Sequence, residues 1–128
     1  MEGAEKLMAT VNKVIERAME LHPDTIDDCV KCRWLSELDG KIMRETMHRQ
    51  NFNGYSFPED QDTELVVKPP FDNLYELYII AMSDFFSGEI GSYSASAIMF
   101  EEAYSDFKKD YLRNNVPPSK DFKLFKEE

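Results

Sequence analysis

Several features are scarce or missing in this chain of 128 residues, and each absence excludes a class of protein. No apolar run approaches the ~18 residues that a membrane-spanning helix needs. Basic residues are outnumbered 15 to 25 by acidic ones, which gives a net charge of −10 and argues against sequence-specific or tight nucleic-acid binding, since that needs clustered Lys and Arg. The N-terminus has neither a basic start nor a long apolar stretch, so we expect no secretory signal and an intracellular protein.

Metal-binding and redox motifs are also scarce. The two cysteines, Cys29 and Cys32, are spaced as half of a zinc site or as a thioredoxin-like redox motif. A zinc site needs two more ligands, and only His22 and His48 are candidates. A redox motif needs a βαβ context, which the sequence pattern does not show. We therefore interpret the pair as small residues on consecutive turns of a helix and predict no metal and no cofactor.

Catalytic motifs are missing too. The sequence contains no Gly-rich phosphate loop, no nucleophile elbow and no H-E-x-x-H helix. Acid–base chemistry would have to use carboxylates that we interpret instead as helix surfaces and caps. We predict a non-enzymatic protein without catalytic residues. The carboxylates in question are Glu37, Asp39, Asp72, Glu76, Asp84 and Glu89.

What the chain does have is enough apolar sequence for one folded domain, with 42% hydrophobic and 12% aromatic residues. Helical periodicity predicts an all-α, four-helix bundle-like domain. A first helix that begins at Thr10, with Thr10 as its cap, is a shorter alternative. The predicted helices span about residues 5–21, 24–49, 72–88 and 92–113.

Three features of the second helix each allow two interpretations. Asp24 or Thr25 can cap its start. Gly40 costs ~1 kcal/mol relative to alanine, but the apolar stripe keeps its phase across it, so we favour a continuous helix over a break at Asp39–Gly40. Trp34, the only tryptophan, is predicted to be a half-buried core residue, with an anchor for a partner as the alternative.

Residues 50–71 lose this periodicity, and we expect a long protruding loop or a short β-hairpin between the second and third helices. Three aromatic residues of this segment, Phe52, Tyr55 and Phe57, can pack back on the domain or contact a neighbouring subunit. In the C-terminal tail, residues 116–128, an apolar trio suggests docking on the chain's own body or on another chain. The trio is Phe122, Leu124 and Phe125.

The helix predicted over 72–88 is apolar on two faces, so it is central in its domain or shared with a partner. It begins near Asp72 or Asn73, and with Asn73 as its cap Glu76 would complete a capping-box-like pair. Only a narrow polar strip, with Glu76, Ser83, Asp84 and Ser87, is left for solvent. We assign one face and the loop aromatics to a candidate oligomer interface: Tyr75, Ile79, Met82, Phe86, Phe52, Tyr55 and Phe57.

The helix predicted over 92–113 has one clean apolar stripe. An aromatic ladder of this kind can stack nucleic-acid bases, but such sites interleave basic residues, which this stripe lacks. We therefore predict that it is core. Its members are Tyr93, Ala97, Phe100, Tyr104, Phe107 and Tyr111.

Three stretches together resemble a family of small tailed-phage and prophage proteins, head–tail connectors or neck adaptors. They are W-L-S-E-L-D-G-K-I-M-R-E (34–45), E-L-V-V-K-P-P-F-D-N-L-Y-E-L-Y (64–78) and the run from Gly88 to Pro117, so the resemblance covers about residues 10–118. It implies an all-α virion structural protein, assembled in the bacterial host cytoplasm. It also implies a ring of copies that contacts the portal protein and further neck or tail proteins, with no catalytic residues. The alternative hypothesis is a small acidic helical protein that binds and regulates a basic host or phage protein.

Overall fold

The computed structural model describes residues 9–49 and 52–115 and confirms an all-α fold. Helix α3 lies at the centre, because it packs against each of the other helices, whereas α4 packs against α3 alone among the described helices. No β-strand forms in these residues, and the one isolated bridge joins Thr10 to Glu64. The helices are α1 (Val11–Leu21), α2 (Asp28–Glu45), α3 (Asn73–Phe86) and α4 (Ile90–Asn115).

Helix α1 begins later than residue 5. Thr10 is extended, with φ −106° and ψ 163°, and its side chain accepts a hydrogen bond from the backbone N–H of Lys13 at 3.3 Å. This is the N-cap geometry that satisfies a free amide of the first turn, so the shorter alternative is correct. Residues 5–8 of the longer prediction lie outside the described part of the chain. The helix ends at Leu21, two residues before Pro23.

Helix α2 is shorter than predicted at both ends. Asp27, rather than Asp24 or Thr25, is its cap and accepts from the backbone N–H of Cys29 at 3.3 Å. Asp24 cannot serve because its carboxylate accepts from Ile26 N–H and pairs with Lys31 inside the domain. The helix is continuous through Gly40, as the unbroken stripe predicted, and ends at Glu45 rather than residue 49.

The turn between α3 and α4 lies two residues earlier in the chain than predicted. Helix α3 starts at Asn73, and Asp72 occupies the cap position without a capping hydrogen bond, since its carboxylate contacts Arg17. Gly88 has φ +78°, a left-handed conformation that glycine adopts without strain. Gly91, which we expected in the turn, already lies in the first turn of α4.

The segment between α2 and α3 lies against the domain, so the predicted protruding loop or hairpin is not confirmed. The carbonyls of Thr63 and Gln61 accept hydrogen bonds from the first backbone amides of α1 at 3.1 and 2.8 Å. Those amides have no partner inside their own helix. Leu65 and Val67 are fully buried in the core. The segment therefore holds the start of α1 in place.

The middle of the stripe predicted for α4 is core, whereas Tyr93, Ala97 and Tyr111 are only half-buried. Phe100, Tyr104 and Phe107 are buried, and the rings of Phe100 and Tyr78 are 5.0 Å apart. Trp34 is only 6% exposed, which confirms that it is a core residue. Its ring meets the edge of Phe86 at a centroid distance of 6.2 Å.

Candidate interaction surface

Three of the four residues of the polar strip are buried, contrary to our expectation that they face solvent, and only Ser87, just past the end of α3, is exposed. Glu76, Ser83 and Asp84 are 7%, 1% and 2% exposed. Each contacts a polar partner from another part of the chain. Pairing of this kind offsets the cost of removing polar groups from water. The strip therefore orients α3 against its neighbours and does not mark a solvent-exposed face.

Arg17 of α1 holds the start of α3. Its guanidinium lies 3.2 Å from Asp72 Oδ2 and forms a close ion pair with Glu76. Burial raises the pKa of Glu76 to about 7, although the charge of Arg17 lowers it; the nearby charge of Asp72 adds to the rise. A single cation thus serves two carboxylates, and one of them titrates near neutral pH.

Two further polar pairs join the other end of α3 to the rest of the domain. His22 Nε2 lies 2.9 Å from Asp84 Oδ1. Ser96 of α4 donates to the second oxygen of Asp84 at 2.9 Å. Because Asp84 stands between histidine and serine, these three residues do not form the serine–histidine contact of a nucleophilic triad. They join α1, α3 and α4.

Lys31 and Asp24 form the second pair. Lys31 is fully buried and its Nζ lies 2.8 Å from Asp24 Oδ1. Ser83 donates to the other oxygen of Asp24 at 3.1 Å. Burial raises the pKa of Asp24, but the hydrogen bonds from Lys31 and Ile26 outweigh burial and leave that pKa below its ordinary value. The α1–α2 connection is thereby fixed to α2 and α3.

Asp39 anchors the long connection to α2 and α3. It is fully buried and accepts hydrogen bonds from the hydroxyls of Tyr55 and Tyr75, both at 2.6 Å, and from Val66 N–H at 3.1 Å. Tyr75 in turn accepts from Val67 N–H at 2.7 Å. Burial raises the pKa of Asp39, which these hydrogen bonds only partly offset. Burial, followed by the charge of Asp39, raises the pKa values of both tyrosines.

The carboxylates of these clusters are largely buried, and their polar groups contact one another. In the described part of the chain, no group of three or more His, Cys, Asp or Glu side chains is arranged to hold a metal ion. Cys29 is exposed and Cys32 is buried, both as free thiols, and burial raises the pKa of Cys32. Among the described helices, none is long and apolar enough to cross a membrane.

The exposed features lie elsewhere, first at the end of the bundle where α3 turns into α4. Phe85, Phe86 and Ile90 are 63%, 69% and 76% exposed. Leu21, the last residue of α1, is 69% exposed, and its neighbour His22 pairs with Asp84 at this same end. We call these four residues the apolar end. Exposed Glu20 and Glu89 stand beside it.

A groove with an apolar floor and an acidic border lies between α3 and α4. Its volume is about 410 Å³. Glu102 and Asp106 form the acidic border and also border a second groove, of about 540 Å³, on the outer face of α4. We call the first one the α3–α4 groove. Its described lining is Pro70, Phe71, Asn73, Leu77, Met99, Glu102, Ala103 and Asp106.

The predicted interface residues do not share one surface. Tyr75 and Ile79 are 0% and 1% exposed, so this fold leaves no surface of theirs for a partner. Met82 is half-buried against the core. Phe86 alone of the four α3 residues is exposed, and it belongs to the apolar end.

The loop aromatics pack back on the domain, which was the first of the two alternatives for them. Tyr55 and Phe57 pack against the core, and Phe52 lies 5.2 Å from the Tyr55 ring. Phe52 also lies beside Gly40, because a Cβ added at Gly40 would stand 3.4 Å from its ring. All three remain half-buried. Contact of these residues with another copy stays a prediction.

Sequence reasoning assigned the buried Asp39 to a helix surface or cap, and it missed Lys31 and three residues of the apolar end. A signal existed for the first two. Lys31 and Asp39 are each four residues from Leu35, so the phase of the apolar stripe places both on the inner face of α2. No comparable signal marks Leu21, Phe85 or Ile90, because their exposure depends on where helices end.

Comparison with protein-family models, with curated proteins and with solved structures finds no match to this chain.

Proposed function

We propose that this chain is a non-enzymatic structural protein of a tailed phage or prophage particle, a head–tail connector or neck adaptor, and that it binds its neighbours in the particle through the apolar end. The observation that carries the proposal is the apolar end itself. Four large hydrophobic side chains, each more than 60% exposed, belong to helix ends that meet at one end of a small domain. Exposed apolar clusters of this kind are typical of surfaces that bind proteins.

The position of the apolar end supports an assembly role. Phe85 and Phe86 end α3, the central helix, and Asp84 beside them is fixed by His22 and Ser96. The exposed rings therefore project from a backbone held by α1 and α4. A rigid, pre-positioned contact loses little conformational entropy on binding. The phage assignment comes from the resemblance of residues 10–118, and the copies would assemble as a ring at the portal vertex.

The proposal is tested on purified tailed phage particles. A Leu21→Ser/Ile90→Ser chain would be produced in a phage- or prophage-bearing host that lacks the wild-type copy. We expect purified tailed particles to contain the wild-type chain and to lose the variant. Leu112→Ser is the matched control, because Leu112 is 49% exposed but lies near the other end of α4. Absence of the wild-type chain from particles, or intact tailed particles after deletion of its gene, would contradict the phage assignment.

One observation favours the alternative of an acidic regulatory protein. The α3–α4 groove has Glu102 and Asp106 on its border and no Lys or Arg in its described lining, and the whole chain has a net charge of −10. A basic partner complements such a surface. Capture of a single partner that is not a virion protein, with an affinity that falls steeply as salt rises, would favour this function over the first.

A further inference from the structure

The α3–α4 groove selects for a particular kind of occupant. Phe71, Leu77 and Met99 give it an apolar floor, and Glu102 and Asp106 supply negative charge at its border. The described lining contains no cationic side chain. The complementary occupant is a short peptide with apolar side chains interleaved with Lys or Arg.

The chain carries such a peptide beyond its last described residue. Residues 120–126 read K-D-F-K-L-F-K, with three lysines against a single aspartate. The apolar residues Phe122, Leu124 and Phe125 alternate with those lysines. This segment belongs to the 13 residues that follow Asn115, the last residue of α4.

The length of the tail matches the distance to the groove. At 1.5 Å of rise per residue, Asp106 and Met99 lie ~14 and ~24 Å before Asn115 along α4. An extended chain of ~3.3 Å per residue lets Phe122 and Phe125 reach ~23 and ~33 Å from Asn115. The α3–α4 groove is therefore within reach of the same molecule.

The apolar end of the same molecule is out of reach by the same measure. Ile90, the first residue of α4, lies ~38 Å from Asn115, whereas Phe125 reaches ~33 Å. The two exposed features therefore need different occupants.

We propose that residues 120–126 bind the α3–α4 groove of their own chain, with Phe122, Leu124 and Phe125 on its apolar floor and lysines beside Glu102 and Asp106. Attachment in the same molecule favours this over binding to a second copy, because a short tether gives an effective concentration on the order of millimolar. A partner with the same basic and apolar chemistry has to displace the segment. This inference does not depend on the phage assignment.

The test uses the full-length chain and measures backbone order in the tail by ¹⁵N relaxation. We expect order parameters above ~0.7 for residues 122–125, falling below ~0.6 in Glu102→Lys/Asp106→Lys. The matched control is Glu45→Lys/Glu59→Lys, the same charge change at two exposed positions away from the groove. The control should keep the tail ordered. Circular dichroism would verify that each variant is folded, and Met99→Ser, at a residue 54% exposed, tests the groove without a charge change.

A variant with the charges of groove and tail exchanged tests the same contact from both sides. Adding Lys120→Glu and Lys123→Glu to the Glu102→Lys/Asp106→Lys chain should restore order to the tail. Wild-type order parameters below ~0.6 for residues 122–125 would overturn the proposal. An ordered tail that is indifferent to both groove variants would overturn it as well. Order that rises with protein concentration, together with a doubled mass, would assign the segment to the groove of a second copy and overturn binding within one chain.

Discussion

Asp39 and Phe86 lie on neighbouring helices and reverse the usual distribution of polar and apolar side chains. Asp39 is a carboxylate with no exposed surface, and it accepts three hydrogen bonds. Phe86 is an aromatic residue that is 69% exposed, and its described ring contact is an edge contact with Trp34. The buried carboxylate has its hydrogen-bond partners, whereas most of the surface of the exposed ring is not packed against the domain. The first therefore stabilises the fold, and the second is left available for binding.

The same contrast runs along α3. Leu74 and Tyr75 near its start are fully buried, whereas Phe85 and Phe86 at its end are mostly exposed. In the last turn the face of the helix decides burial, because Ser83 and Asp84 are buried there beside the two exposed rings.

The largest effect is expected at Asp39. In Asp39→Ala the hydroxyls of Tyr55 and Tyr75 and the N–H of Val66 lose their acceptor inside the domain. We expect the free energy of unfolding to fall by about 3–5 kcal/mol, measured by urea denaturation. Asp62→Ala, at an exposed position of the same connection, should change it by less than ~0.5 kcal/mol. Equal effects at the two positions would show that the buried cluster does not stabilise the fold.

The second largest effect is the change in the free energy of unfolding with pH that Glu76 causes. Its pKa is about 7 in the folded chain, above its ordinary value of 4.5, so the folded state binds this proton more tightly than the unfolded state. The stabilisation it gives is complete below pH 4.5 and is lost as the pH rises through 7. Relative to Glu76→Gln, the wild type should lose up to about 3 kcal/mol of unfolding free energy between pH 4.5 and 7.5.

Urea denaturation across that range measures this difference. The comparison with Glu76→Gln cancels the contributions of Asp39 and Asp24, whose pKa values are shifted in opposite directions. Parallel pH profiles for the two proteins would contradict the role assigned to Glu76.

Third in size is the loss of one hydroxyl from the Asp39 cluster. Tyr75→Phe keeps the ring but removes a donor to Asp39 and an acceptor for Val67 N–H. We expect a loss of about 1–3 kcal/mol in the same urea measurement. Tyr93→Phe is the control, because Tyr93 is half-buried against Phe85 and contacts it through its ring. It should change stability by less than ~0.5 kcal/mol.

The smallest effect on stability is expected at the apolar end. Leu21→Ser/Ile90→Ser removes side chains that are 69% and 76% exposed, so little buried surface is lost. We expect the free energy of unfolding to change by less than ~1 kcal/mol. A larger loss would show that these residues belong to the core, and the contrast with Asp39 would then disappear.

Periodicity predicted the helices and the aromatic stripe of α4 because one-sided amphipathic patterns leave a single way to bury the apolar face. Thr10 was predicted as a cap for a local reason, since its hydroxyl needs only the third residue after it. The interior role of Trp34 also followed from its residue type.

The features that the sequence did not predict depend on contacts between residues distant in the sequence. Asp24 was predicted as a cap, but Lys31 and Ser83 hold it inside the domain. Tyr75 and Ile79 were assigned to a surface because α3 is apolar on two faces, and periodicity alone does not show which face is covered. The polar strip of α3 was expected in water because its ion-pair partners come from other elements. Local sequence does not encode these pairings.

Covalent surface footprinting of the free chain and of the chain in purified tailed particles shows whether the apolar end is the assembly surface. Labelling of Leu21, Phe85, Phe86 and Ile90 should fall strongly on assembly. Labelling of exposed Leu112 serves as the internal reference. If the four residues are labelled as strongly in particles as in the free chain, the apolar end is not the assembly surface.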